Sequence, residues 1–362
     1  MRAAILHRMG QPLTVEDVSI DKPAAHEVLV RVVAAGVCHS DLHIVDGDLP
    51  HPFPVILGHE AAGVVEQVGD DVTTVRAGDH VILCLTFPCG HCGQCQGGHG
   101  NRCQNPDAMR ALAQPPRLSL GAERVEQFLS IGSFAEQVLV HETGCVAIRK
   151  DMPLDRACLI GCGVATGFGA VVRSAEVKAG ETVAVIGCGG VGLAAINGAE
   201  VAGAGRIVAI DRVPGKLVLA RQFGATDVID ASDGGVVEAV MALTNGVGVD
   251  HAIEAIGAKQ TVEDAFNMLA KGGLATVLGA GKRDTVAHIP VLALLREKRL
   301  QGSMMGGVRT AIDIPRYVDL YLRGKLRLDE LISRRRPLTE INEAFADLRT
   351  GELARSVIVF DR

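Results

Sequence analysis

Ten cysteines occur in 362 residues, and four of them fall as Cys89-x2-Cys92-x2-Cys95-x7-Cys103. Gly90, Gly93, Gly97, Gly98 and Gly100 are threaded through the same segment. Thiolates at this spacing can close a tetrahedral shell round zinc, and glycines let a short loop wrap the ion without Cβ clashes. Four thiolates leave no open position, so the chemistry is structural. Reduced cysteines scattered by chance are a poor account of the cluster, because a glycine-rich segment has no packing use for them. An iron–sulfur cluster takes similar ligands, but the run lacks the CxxxCP ending of bacterial ferredoxins.

Three further donors are dispersed. Cys38 stands in Gly36-Val37-Cys38-His39-Ser40-Asp41-Leu42-His43, His59 in Gly58-His59-Glu60-Ala61-Ala62-Gly63, and Cys162 in Leu159-Ile160-Gly161-Cys162-Gly163. Two thiolates and an imidazole plus water make an open, catalytic zinc set. Taken singly, each of these residues reads as ordinary core or surface. A third signal is Gly187-Cys188-Gly189-Gly190-Val191-Gly192, directly after the apolar run Val183–Ile186. This GxGxxG lets backbone approach a pyrophosphate at a helix N-terminus. Asp211 follows 24 residues beyond Gly187 at the end of the next apolar run. A carboxylate there accepts hydrogen bonds from the adenosine ribose and repels a 2′-phosphate, favouring NAD over NADP. Arg212 beside it is the kind of residue that accepts such a phosphate, and a mere turn-capping role is the alternative reading of Asp211.

The elements that must hold these groups change character along the chain. Residues 1–160 read as short β segments, with alternation in 27–33 and 63–69 and an apolar run at 81–84. From Thr182 strands and helices alternate. Strands are expected at 183–186, 207–210, 227–230, 249–254 and 275–278, with helices at 191–203, 214–223, 235–244 and 261–271. That alternation implies a parallel, doubly wound sheet. Helices at 313–324 and 339–349 and a strand at 356–360 close the chain, and no repeat of 20–50 residues is evident. Hydrophobic residues make up 48% and charged residues 22%, with mean hydropathy +0.26, which is a globular composition. The net charge of −6, the absence of Trp and the presence of only two Tyr argue against a nucleic-acid binder. Thr182 to Ala199 carries no formal charge. Its Gly, Ala and Asn197 content fits a strand, turn and buried helix better than a membrane span. His7 and Arg8 interrupt the first apolar run, so no secretory leader is expected, and the cysteines are read in a reducing cytoplasm.

Together GVCHSDLH, GHEAAG, the four-cysteine lobe, LIGCGVATGFGA and GCGGVG followed by Asp211 resemble the zinc-dependent medium-chain alcohol dehydrogenases. The resemblance spans nearly the whole chain, in the family's order, and is nearest to the two-zinc branch of liver-type and glutathione-dependent formaldehyde dehydrogenases. It implies an α/β fold with a Rossmann domain, 164–305, inserted in a β-rich GroES-like catalytic domain, 1–163 and 306–362. It implies two zinc ions per chain, one on Cys38, His59 and Cys162 and one on Cys89, Cys92, Cys95 and Cys103. Glu60 resembles the carboxylate that approaches the catalytic ion, Asp41 the one that orients the zinc-bound histidine. Ser40 and His43 resemble the relay that carries the alcohol proton to solvent through the nicotinamide ribose. His39 stands where many relatives have arginine near the pyrophosphate, and Arg355 resembles a late arginine that also reaches it. Gly187, Gly189, Gly190, Val191, Gly192, Asp211, Arg212 and Lys216 are assigned to NAD. By resemblance Leu49, Leu85, Leu129 and Met304 line an apolar substrate pocket. The reaction implied is hydride transfer between a primary, including aromatic, alcohol and NAD. An S-(hydroxymethyl)glutathione dehydrogenase is the alternative, with Arg110, Arg117 and Arg124 in the loop 104–130 as its basic residues. A noncatalytic zinc-binding module is the remote one. The long loop after Cys103 suggests a homodimer, with no nucleic-acid or membrane partner.

Overall fold

The apolar runs after Thr182, which do not alternate, become inner strands of a parallel sheet covered on both faces. A computed structural model describes residues 1–104, 110 and 114–360. In it the sheet has the order Asp227–Asp230, Arg206–Asp211, Thr182–Ile186, Val249–Glu254, Leu269–Val277, Arg299–Gly302, every pair parallel. This is the doubly wound order, and its direction reverses between Thr182–Ile186 and Val249–Glu254. Ligands bind at such a switch point, outside the carboxyl ends of the strands. The glycine loop lies there, between the strand Thr182–Ile186 and the helix Gly190–Ala202. The uncharged stretch from Thr182 is therefore strand, turn and buried helix. Among the described residues no single helix is long and apolar enough to cross a membrane.

One expected helix is cut short. The 261–271 segment is helical only to Asn267, and Leu269–Val277 is a strand. Leu269 pairs with Val249, and Gly272 adopts φ 77°, which no α-helix accommodates. Sheet pairing overrides the local helical pattern here.

The alternating 27–33 run is part of the strand Glu27–Gly36, at the centre of a seven-stranded sheet. That sheet draws its strands from both sides of the parallel one: Glu60–Val68, His80–Leu83, Gln137–His141 and Cys145–Ile148 precede it, and Ile332–Pro337 and Arg355–Val359 follow it. The antiparallel pairing of Val357 with Gly36 brings the end of the chain beside the Cys38 segment. Val37 N–H donates to the Ser356 carbonyl at 3.0 Å.

Candidate metal and nucleotide centre

Four element ends converge on one buried point. Cys38 caps the helix His39–Asp46, Glu60 begins the strand Glu60–Val68 with His59 just before it, and Cys162 caps the helix Gly163–Gly169. Arg355 opens the last strand. One donor atom from each of Cys38, His59, Glu60 and Cys162 lies within 4.8 Å of every other, and all four residues are buried. Asp41, itself wholly buried, orients the imidazole. Its Oδ1 accepts from His59 Nδ1 at 3.1 Å and from Gly58 N–H at 2.8 Å, and its Oδ2 from Cys38 N–H at 3.2 Å. With Nδ1 bound, His59 Nε2 faces the thiols and has no partner. A buried imidazole nitrogen left unpaired among thiols, with its other nitrogen held by a carboxylate, fits a metal ligand.

The electrostatics point the same way. The Cys162 thiol and the Arg355 and His59 charges hold Cys38 well below the ordinary thiol range. Burial opposes charge on His59, but Asp41 and Cys38 outweigh it and raise it. The neighbouring Cys162 thiol shifts the opposite way, raised by Cys38 and by burial. Burial also lifts the Glu60 carboxyl to about 7, against the opposing pull of Arg355. Arg355 Nη2 donates to Glu60 Oε1 at 3.0 Å and Nη1 to the Val37 carbonyl at 3.3 Å. The same guanidinium abuts the glycine loop: a Cβ on Gly190 would sit 2.9 Å from Arg355 Nε. Arg355 thus touches both the thiol cluster and the start of the Gly190–Ala202 helix, and its pairing with Glu60 was not foreseen.

At the loop itself, a Cβ on Gly192 would run into the Gly187 carbonyl, so only glycine lets the helix pack this closely on the turn. Asp211 Oδ2 accepts from Cys188 N–H at 2.7 Å and its Oδ1 from Val213 N–H at 3.0 Å. The carboxylate is therefore fixed beside the loop, as a ribose-binding acid needs, and it caps its own turn as well. Arg212 is exposed and Lys216 half-buried nearby. His39, on the exposed first turn of its helix, is pushed below its usual range by desolvation and by the Arg355 and Lys216 charges.

Ser40 Oγ lies 3.9 Å from Cys38 Sγ. His43 Nδ1 is 3.0 Å from Asp48 Oδ2, a partner the sequence reading missed. Among the described residues no hydrogen bond joins Ser40 to His43 directly. The four thiols of the lobe, Cys89, Cys92, Cys95 and Cys103, also gather within 4.8 Å, each half-buried. Cys89 Sγ accepts from Cys92 N–H and Cys103 Sγ from Cys89 N–H, both at 3.4 Å.

Of the pocket residues, Leu49 and Leu85 are half-buried, while Leu129 and Met304 are 39% and 57% exposed. Phe128, not singled out from sequence, sets its ring edge-on to His59 at 5.6 Å between centroids. The arginines of the following loop are already engaged. Arg110 reaches Glu27 at 2.5 Å and Asp21 at 2.6 Å, Arg117 reaches Glu27 at 2.7 Å, and Arg124 reaches Glu126 at 3.1 Å. Residues 105–109 and 111–113 of that loop, and 361–362, lie outside the described residues.

Comparison with known proteins agrees with this geometry. Residues 24–150 match the alcohol dehydrogenase GroES-like domain family, and 190–323 the zinc-binding dehydrogenase family. The chain is 38% identical to the S-(hydroxymethyl)glutathione dehydrogenase of Saccharomyces cerevisiae over 99% of its length and 96% of the relative's. The crystal structure of benzyl alcohol dehydrogenase from Acinetobacter calcoaceticus superposes with TM-score 0.93 at 34% identity, covering 99% of each chain. A zinc-binding dehydrogenase from Sinorhizobium meliloti, solved with NADP, gives TM-score 0.83 at 30% identity over 99% of each.

Proposed function

Because the chain belongs to the zinc-dependent medium-chain alcohol dehydrogenase family, we propose that it interconverts primary, including aromatic, alcohols and their aldehydes with NAD as hydride acceptor. The observation that carries this reading is the buried Cys38–His59–Cys162 cluster, with His59 Nε2 unpartnered, joined through Arg355 to the glycine loop. We place one zinc on Cys38, His59 and Cys162, and a second on the lobe thiols. Bound there, the catalytic ion supplies Lewis acidity that lowers the pKa of an alcohol hydroxyl.

The chain's own residues then have separate tasks. Asp41 holds the imidazole of His59 so that Nε2 stays free for the ion. Ser40 Oγ, beside Cys38, accepts the hydroxyl proton as it gives up its own, and His43, farther out on the same helix, releases a proton to solvent. Arg355 and His39 face the pyrophosphate position, with Gly187, Gly189, Gly190, Val191 and Gly192 as the cradle. Asp211 and Lys216 face the adenosine side, and the placement of Asp211 supports NAD. Leu49, Leu85, Leu129 and Met304, with Phe128, supply an apolar wall. Domain boundaries at 163/164 and 305/306 put the cleft between the two sheets' regions.

The S. cerevisiae relative gives the glutathione reading its support. Against it, Arg110 and Arg117 are paired with Glu27 and are poorly placed to receive an acidic adduct. A homodimer is supported by the outermost parallel strand, Arg299–Gly302, and the apolar side chains beside it: Val291, Leu292 and Leu295 are 77%, 75% and 79% exposed. Ten free cysteines suit the reducing cytoplasm. The test is an alcohol panel assayed with NAD and with NADP, plus formaldehyde with and without glutathione, on protein of measured zinc content. Turnover of benzyl-type alcohols with NAD supports the reading; turnover confined to formaldehyde with glutathione replaces it with the alternative.

A further inference from the structure

The helix that carries the relay ends in a turn built to return a carboxylate to it. His39–Asp46 stops at Gly47, which adopts the left-handed φ of 80° and packs against Met9 where a Cβ would collide with Met9 Sδ. Leu49 N–H closes the turn on the His43 carbonyl at 3.3 Å. Between them Asp48 swings back, its Oδ2 3.0 Å from His43 Nδ1, while its Oδ1 meets Lys282 Nζ at 3.1 Å. Lys282 comes from the loop that follows the strand Leu269–Val277 of the parallel sheet, so the chain of three side chains crosses between the regions carrying the two sheets.

We propose that Asp48 is a positioning residue for the proton path, fixing His43 as the Nδ1–H tautomer so that Nε2 is the basic nitrogen. The inference rests on His43 being the outer group of the relay. An ionised carboxylate only accepts hydrogen bonds, so the ring nitrogen facing it must carry the proton. The hydrogen bonds from His43 and Lys282 hold the Asp48 carboxyl below its ordinary range, which keeps it an acceptor near neutral pH. A proton arriving at Nε2 makes an imidazolium whose charge Asp48 balances. The same proton then leaves Nε2 for bulk water, and the neutral ring returns. Among the described residues, besides Asp48 and, through it, Lys282, His39, one turn earlier on the same helix, is a titratable group felt by His43.

The experiment compares Asp48→Asn, Asp48→Glu and His43→Gln by steady-state kinetics from pH 6 to 10, with zinc content and NAD affinity measured on each. An amide no longer stabilises the imidazolium or selects one tautomer. Asp48→Asn should lower kcat about tenfold and move the midpoint of the pH–rate profile downward, with zinc and NAD affinity unchanged and Asp48→Glu nearer wild type. A wild-type rate and profile in Asp48→Asn beside an impaired His43→Gln would overturn the role of Asp48 and leave the relay standing. A wild-type His43→Gln would remove the relay itself, and the proposal with it.

Discussion

The two thiol clusters use the same chemistry in opposite surroundings. In the lobe, all four donors come from one short glycine-rich loop, stay half-buried, and take hydrogen bonds from that loop's own backbone. At the other cluster, the donors arrive from separate element ends between Cys38 and Cys162, are buried, and are oriented by Asp41 and Arg355. A local loop can assemble a closed shell from its own backbone and thiols. The dispersed set needs the whole fold to form, and in return it lies beside the glycine loop at the sheet's switch point. On the proposed reading, structural binding and chemistry separate by how far the ligands travel to meet.

Removing a ligand from each site is the sharpest contrast. Cys38→Ala is expected to lower kcat/KM by about 10³-fold or more, since the Lewis acid contributes several kcal/mol. Zinc should fall by one per chain with only a modest change in Tm. Retained activity in that variant would break the distinction. Cys103→Ala should do the reverse, losing one zinc and lowering Tm because structural metal binding is folding free energy. Activity per folded molecule should persist, read by calorimetry and metal analysis on one preparation.

Asp41→Asn probes the carboxylate that orients the buried site. Replacing the carboxylate that orients His59 is expected to weaken metal affinity there about 10–100-fold, with the lobe unaffected, measured by competition with a chelator. The smallest effect is in thiol reactivity after zinc removal. Backbone hydrogen bonding around Cys95 and Gln104 lowers the Cys92 thiol to about 6, whereas burial pushes Cys145 up. Alkylation of Cys92 should therefore rise as pH passes through about 6 while Cys145 stays unreacted at neutral pH, followed by mass spectrometry. Equal labelling of the two would contradict the burial difference.

Much of this is legible in the sequence alone. The lobe, the glycine loop with Asp211 and the strand–helix alternation are patterns of near neighbours, and local chemistry specifies them. The strand Val249–Glu254 matches its expected span even though Asp250, His251 and Glu254 interrupt its apolar residues. The helix expected to reach residue 271 failed because pairing of Leu269 with Val249, a contact distant in sequence, competes with a helical period. The loop arginines looked available for an acidic substrate, and nothing near them announced Glu27 as the partner that takes Arg110 and Arg117. The signal for Asp48 was present, a helix-ending glycine followed by an acid five residues after His43, but its meaning depends on the left-handed turn.

By itself the sequence determined which side chains could bind metal and nucleotide, since donor type and short spacing are properties of the chain. Tertiary structure alone decided that Cys38, His59 and Cys162 share one point, that Arg355 lies between Glu60 and the glycine loop, and that Lys282 reaches Asp48. Those contacts join residues far apart along the chain. Sheet pairing and core packing set such distances, and spacing in the sequence carries no record of them.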